Sequence, residues 1–275
     1  MIDAAAYERD GYAVLPNLFS AGEVADLIAE VEAIAAGERG DVPGLGALDP
    51  DRPAMEQVLA LHFPHKLSDR ILNLVKDERV TAALTAVLGP DVKCMQSMMF
   101  VKRAGKPGQA WHQDEHFIAT RDRSLVGVWI ALDDATIENG CLWLHPGSHH
   151  HGILWPTRDH GDARFDVTEA AYDFPYDEDG GIAVEVPAGS VVMFDGYLLH
   201  RSLPNRAKAG YRRAIVNHYM NARSLLPWSH GEVRTPREDL RDFILVSGED
   251  PYAWKGMEEV TKPFLRAEAS GQSAS

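Results

Sequence analysis

Apolar residues recur along this chain in two rhythms, and the change from one to the other divides it. Around positions 20–36 they fall at helical spacing: Val24, Leu27, Ile28 and Val31 share one face, and Ser20 ahead of them is a residue type that caps a helix start. A short strand is predicted over 12–15, just after Asp10-Gly11. A loop rich in Gly, Asp and Pro covers 37–53, and a second helical region over 67–88 is closed by Gly89-Pro90. From there the rhythm shortens. The runs 94–102, 125–132, 182–186, 190–194 and 213–219 are brief and rich in β-formers, with Gly, Pro or Asp between them. Helices followed by antiparallel strands predict an α+β chain with N-terminal and flanking helices and a double-sheet jelly-roll core. Two stretches stand apart. The segment 151–181 is long, acidic and poorly periodic, as lids and substrate loops are, and 264–275 is expected to be a flexible tail.

Composition narrows the class. With 275 residues, 45% apolar and 25% charged, the chain can bury one sizeable core, and a single domain over 1–275 is expected. A formal charge of −14 without long like-charge blocks argues against a nucleic-acid or anionic membrane partner and for a soluble protein. Cys94 and Cys141 are too few for a disulfide framework and fit a reducing compartment. No stretch reaches the roughly 18 apolar residues of a spanning helix, and the opening residues lack a basic run followed by an apolar one, so a cytoplasmic location is expected. Oligomeric state is not legible.

The chemistry sits in Trp111-His112-Gln113-Asp114. In extended backbone, His112 and Asp114 point to the same side and can share a metal. His200, just beyond the apolar run Val191-Val192-Met193-Phe194, can supply a third ligand. Two histidines and one carboxylate on one face leave positions open, the arrangement of non-haem Fe(II) oxygenases. Farther on, Arg212 offers a guanidinium able to grip a carboxylate with two parallel hydrogen bonds.

Four segments in order, WHQD, ENGCLWLHPGSHH, PAGSVVMFDGYLLHRS and GYRRAIVNHY, together with the early DGYAVLPNLFS, resemble the phytanoyl-CoA dioxygenase family of iron- and 2-oxoglutarate-dependent oxygenases. The likeness spans about 7–225. It implies a cupin-like double-stranded β-helix, with Fe(II) held by His112, Asp114 and His200, and with 2-oxoglutarate and O2 as cosubstrates. It further implies that Arg212 pairs with the far carboxylate of 2-oxoglutarate, that Ser202 supports it, and that Gln96, Gln113 and Trp129 lie against the cosubstrate. The spacing from His200 leaves Arg212 and Arg213 as alternatives; only one can point inward, and the Gly-aromatic-Arg pattern favours Arg212. Because relatives that halogenate lack this carboxylate, Asp114 implies hydroxylation or a related oxidation.

Other residues carry plainer readings. His145, His149, His150 and His151 are expected in a solvated turn, and Glu138-Asn139-Gly140 in a tight turn bonded to the backbone. His116 is a rim histidine within reach of a substrate. The function expected is hydroxylation of an aliphatic carbon of a small organic molecule, with release of succinate and CO2. The alternatives are a cupin-like iron dioxygenase independent of 2-oxoglutarate and a non-catalytic binding module on the same fold.

Overall fold

A computed structural model describes residues 2–227 and 239–267. The helices come first, and each start has a local cause. Helix α1 (Ala4–Asp10) is capped by the Asp3 side chain and ends at Gly11, whose φ of 80° suits a residue without a Cβ. Helix α2 (Ala21–Ala35) begins with a reciprocal Ser20–Glu23 capping box and buries Val24, Leu27, Val31 and Ile34. After the short α3 (Ala54–Gln57), the helix expected over 67–88 proves to be two, α4 (Asp69–Val75) and α5 (Glu78–Leu88). The break falls at Asp77, whose carboxylate accepts from the backbone N–H groups of Arg79 and Val80 and so starts a new helix. One further turn, α6 (Asp114–Phe117), lies among the strands.

The strands are β1 (Tyr12–Leu15), β2 (Val58–His62), β3 (Val92–Arg103), β4 (Gln109–His112), β5 (Val126–Ala131), β6 (Leu142–Leu144), β7 (Thr157–Arg158), β8 (Ala170–Ala171), β9 (Ile182–Val184), β10 (Val191–Asp195), β11 (His200–Ser202), β12 (Tyr211–Asn221), β13 (Ile244–Ser247) and β14 (Phe264–Ala267). The larger antiparallel sheet runs β1-β10-β5-β12-β3-β2-β14, with β13 also beside β3, and the smaller runs β4-β11-β6-β9. Alternation divides the side chains of the larger sheet. Val128, Ile130, Met193, Ile215 and Tyr219 pack under the helices with Leu27, Val31, Ile71 and Leu84, while Trp129, Val192, Phe194 and Val216 pack toward Leu142, Leu144 and Val184 of the smaller sheet. The result is a mixed helix-and-strand fold whose two sheets face one another across an interior apolar layer.

One pairing corrects the expectations. Phe264–Ala267, expected in a flexible tail, forms β14 and pairs with β2; residues 268–275 lie outside the described residues. Neither β2 nor β14 has a periodicity of its own to announce it, because each is defined by a partner far away in sequence. Among the described residues, no helix is long and apolar enough to cross a membrane.

Candidate active site

The facing sheets enclose a cavity of about 400 Å³, toward the lower end of the range for ligand pockets. Its inner end is built by register. In the smaller sheet His200 on β11 pairs directly with His112 on β4, which brings their ring centroids to 4.0 Å. The chain stays extended through Gln113 (φ −128°, ψ 128°) before α6 starts at Asp114, so His112 and Asp114 face the cavity and Gln113 faces away. Asp114 Oδ1 lies 3.5 Å from His200 Nε2 and 3.7 Å from His112 Nε2. All three residues are buried, and among the described residues they form the one His/Cys/Asp/Glu group arranged to hold a metal ion.

Protonation suits that role. The Nδ1 of His112 donates to Ala110 O at 2.7 Å and that of His200 to Leu198 O at 2.9 Å, so each ring keeps its proton on Nδ1 and offers a bare Nε2. Burial, then the neighbouring His200, pushes His112 down to about 3, which keeps it neutral. Burial alone would raise the Asp114 carboxyl, but His200 and His218 outweigh it and hold it well below the ordinary carboxylate range. Two imidazole nitrogens and a carboxylate oxygen form a donor set that fits Fe(II).

The other end of the cavity is cationic. Arg212 on β12 pairs in register with Lys102 on β3, and both are buried. Lys102 Nζ donates to Ser202 Oγ at 2.8 Å, Leu203 O at 2.7 Å and Gly140 O at 3.3 Å, all neutral acceptors. Arg212 lies over the Trp129 ring at 5.6 Å, and its buried Nε has no hydrogen-bond partner. Burial pulls Arg212 down to about 10, and burial together with Arg212 drives Lys102 well below the ordinary lysine range. Of the two neighbouring arginines, Arg212 lines the cavity, whereas Arg213 points to the opposite face and is bound by Asp133 at 2.7 Å and Glu32 at 3.2 Å.

Gln96, Trp129, Ser202 and Arg212 thus line the same cavity as His112, Asp114 and His200. Gln113 does not. Its amide donates to Ile153 O at 2.9 Å and Tyr197 O at 2.7 Å and accepts from Trp155 N at 2.8 Å, pinning the loop after the histidine run; the same alternation that aims its neighbours at the cavity turns it outward. The histidine run is a solvated turn in part: His150 and His151 are exposed, with His149 and His150 donating to the carbonyls of Glu8 and Arg9 at the end of α1, whereas His145 is buried and stacked between Trp111 and Tyr176. His116 lies 3.4 Å from Glu169 and is not among the lining residues, whereas its neighbours Phe117 and Ile118 are. Asn139 forms its turn as expected, accepting from Thr136 N and donating to Asp134 O. At the mouth, Asp166 and Thr168 of the acidic segment meet Arg266 of β14, with Arg266 and Asp166 3.7 Å apart.

Among the polar residues of the cavity that escaped the sequence reading are Lys102 and His218. Strand parity was the available signal, because Lys102 shares the inward face of β3 with Gln96, and His218 that of β12 with Arg212.

A two-sheet fold enclosing a His-Asp-His metal face, with a buried arginine at the far end, defines a candidate non-haem metal protein. The chain belongs to the phytanoyl-CoA dioxygenase (PhyH) family, whose pattern matches residues 7–214. It is 38% identical over 113 residues to an Arabidopsis thaliana phytanoyl-CoA dioxygenase, a match that spans 40% of this chain and 38% of that protein, well under two thirds of its length. To an ectoine dioxygenase of Stutzerimonas stutzeri it is 32% identical over 78% of this chain and 76% of that protein. Among solved structures, the non-heme alpha ketoglutarate dependent carbocyclase SnoK from nogalamycin biosynthesis shares the fold, with a TM-score of 0.66 and 23% identity over 89% of this chain and 95% of that one.

Proposed function

We propose that this protein is an Fe(II)- and 2-oxoglutarate-dependent dioxygenase that oxidises a small organic molecule, most simply by hydroxylating an aliphatic carbon, and that its two sheets form a double-stranded β-helix. One observation carries the reading: the metal face and, away from it, the buried basic groups of Arg212 and Lys102, which have no acidic partner among the described residues, line one cavity. A dicarboxylate would suit such a cavity: His112, Asp114 and His200 would hold the metal that takes one carboxylate, and Arg212 and Lys102 would meet the other. Membership of the family and the metal-ligand and arginine pattern in the sequence support the same assignment.

The chemistry that Fe(II) and 2-oxoglutarate supply when bound is activation of O2, with oxidation of 2-oxoglutarate to succinate and CO2 coupled to oxidation of the substrate. The chain's own residues position and protect. His112, Asp114 and His200 hold one face and leave the opposite face open. Arg212 orients the dicarboxylate, and Ser202, whose oxygen already accepts from Lys102 and from Gln109 N, keeps its own O–H to donate. Leu59, Met98, Phe117, Ile118 and Val216 make the neighbouring wall apolar and exclude water from the space a substrate would fill. The segment 151–181, through Asp166 and Thr168, serves as a rim or lid.

The test is anaerobic titration of the protein with Fe(II) and 2-oxoglutarate, following the weak visible charge-transfer band of the chelate. The band should appear and require far more 2-oxoglutarate in Arg212→Ala. Iron binding with no band at any 2-oxoglutarate concentration would replace this reading with the 2-oxoglutarate-independent one.

A further inference from the structure

A third histidine touches the metal face, and the position of its proton separates it from the other two. His218 lies on the inward side of β12, opposite Gln96 on β3 and Gly127 on β5, and is buried to 4% exposure. Its Nε2 is 3.1 Å from Asp114 Oδ2, whereas the bare Nε2 atoms of His112 and His200 approach the other oxygen, Oδ1. A carboxylate oxygen can only accept, so the hydrogen bond puts the proton of His218 on Nε2. Its Nδ1, also buried, has no hydrogen-bond partner.

We propose that His218 is a positioning residue for the metal. By holding Oδ2, it fixes the Asp114 carboxylate so that Oδ1 alone is presented beside His112 and His200. Without that hydrogen bond, the carboxylate is free to turn and offer both oxygens to the ion, which would consume one of the positions that a bidentate cosubstrate and O2 require. Local backbone supports this placement. The β12–β3 register shifts immediately after His218, a bulge of the kind that re-aims side chains beside functional sites. On the other flank the residue opposite is Gly127, where an added Cβ would meet the Phe194 ring at 2.5 Å, and that ring lies 4.6 Å from His200.

The test compares His218→Gln, whose amide nitrogen can reach the same oxygen, with His218→Leu, which fills the space but donates nothing. Each is titrated with Co(II), using the visible d–d spectrum to read affinity and coordination number, and then with Fe(II), without cosubstrate in either case; circular dichroism and the melting midpoint of the metal-free protein confirm folding. His218→Leu should bind Co(II) about 10- to 100-fold more weakly, the usual effect of losing a group that orients a ligand, with a changed d–d envelope, and His218→Gln should recover most of both. Unchanged affinity and spectrum in His218→Leu overturns the proposal. So does an equal loss in both variants, which would assign His218 to packing. Because 2-oxoglutarate is absent, either result leaves the dioxygenase assignment to its own test; failure of all three proteins, unmodified included, to bind either metal would overturn both.

Discussion

The two ends of the cavity solve opposite electrostatic problems. At the metal end the donor groups are oriented before any ligand arrives: Asp114 Oδ2 accepts from His218, and the two ligand rings are locked by carbonyls of their own strands. At the far end Lys102 and Arg212 are buried as like charges with no acid between them. A pre-oriented end holds its shape with or without ligand. A cationic end is held at a cost in stability, and that cost returns as affinity for an anion. The metal end therefore governs what chemistry takes place, and the cationic end governs which cosubstrate is admitted.

The largest expected effect breaks the metal end alone. Asp114→Ala removes its only anion, and Fe(II) affinity should fall by more than about 100-fold, beyond the range for groups that merely orient a ligand; anaerobic titration measures it, and near-normal iron binding would show that Asp114 is not a ligand. Next comes Arg212→Met, which acts on the other end in two directions. Removing one partner of a buried charge pair costs about 2 kcal/mol or more, so 2-oxoglutarate should bind about 30-fold or more weakly while Fe(II) affinity stays put. The ligand-free variant should melt higher, by about 2–4 °C per kcal/mol relieved, since a buried cation without a hydrogen-bonded partner is gone and Lys102 loses a like charge. The pH dependence follows from sign. Burial lowers Arg212 from 12.5 to about 10, so its folded-state penalty is complete and constant below about pH 10 and fades only as pH rises toward 12.5. Melting scans between pH 6 and 9 should show the Arg212 contribution unchanged, so that any drift of the gain with pH reports Lys102, and saturating 2-oxoglutarate should reverse the order of the two proteins.

A smaller change sharpens the boundary of the site. Gln113→Ala strips partners from Ile153 O, Tyr197 O and Trp155 N, so stability should drop by about 1–3 kcal/mol with 2-oxoglutarate affinity within about twofold of normal. A large loss of cosubstrate affinity with unchanged melting would restore Gln113 to the cosubstrate side.

How much of this was legible differs between the ends. His112, Asp114 and His200 could be read because two lie at strand spacing in one tetrapeptide and the third follows an obvious apolar strand. Arg212 could be read once alternation was applied to its strand. Parity put Lys102 on the inward face but did not single it out, because a lysine near the end of a strand is ordinarily at the surface, and its burial depends on β11, whose Ser202 accepts from it, and on β12 pairing alongside. The mouth was less legible still: Arg266 reaches it only because β14 pairs with β2, a contact between segments some two hundred positions apart that neither segment advertises. Gln113 shows the converse, where sequence proximity to two ligands suggested a shared role and strand geometry denied it.

The smallest effect tests whether the ends are independent across the strand that lies between them. Trp129 is on β5, pairs with Val216 of β12 and carries its ring under Arg212 at 5.6 Å, near the roughly 6 Å limit for attraction between a cation and an aromatic face. Phenylalanine keeps an aromatic surface but with a weaker face, so Trp129→Phe should forfeit about 0.5–1 kcal/mol of that contact, a two- to fivefold loss in 2-oxoglutarate affinity. The ring has no hydrogen bond to His112, Asp114, His200 or His218, so Co(II) affinity and its d–d spectrum should not change. If both affinities moved together, the cavity would have to be treated as one packed unit. The division of labour between a settled metal end and a strained cationic end would then be a matter of geometry rather than of energy.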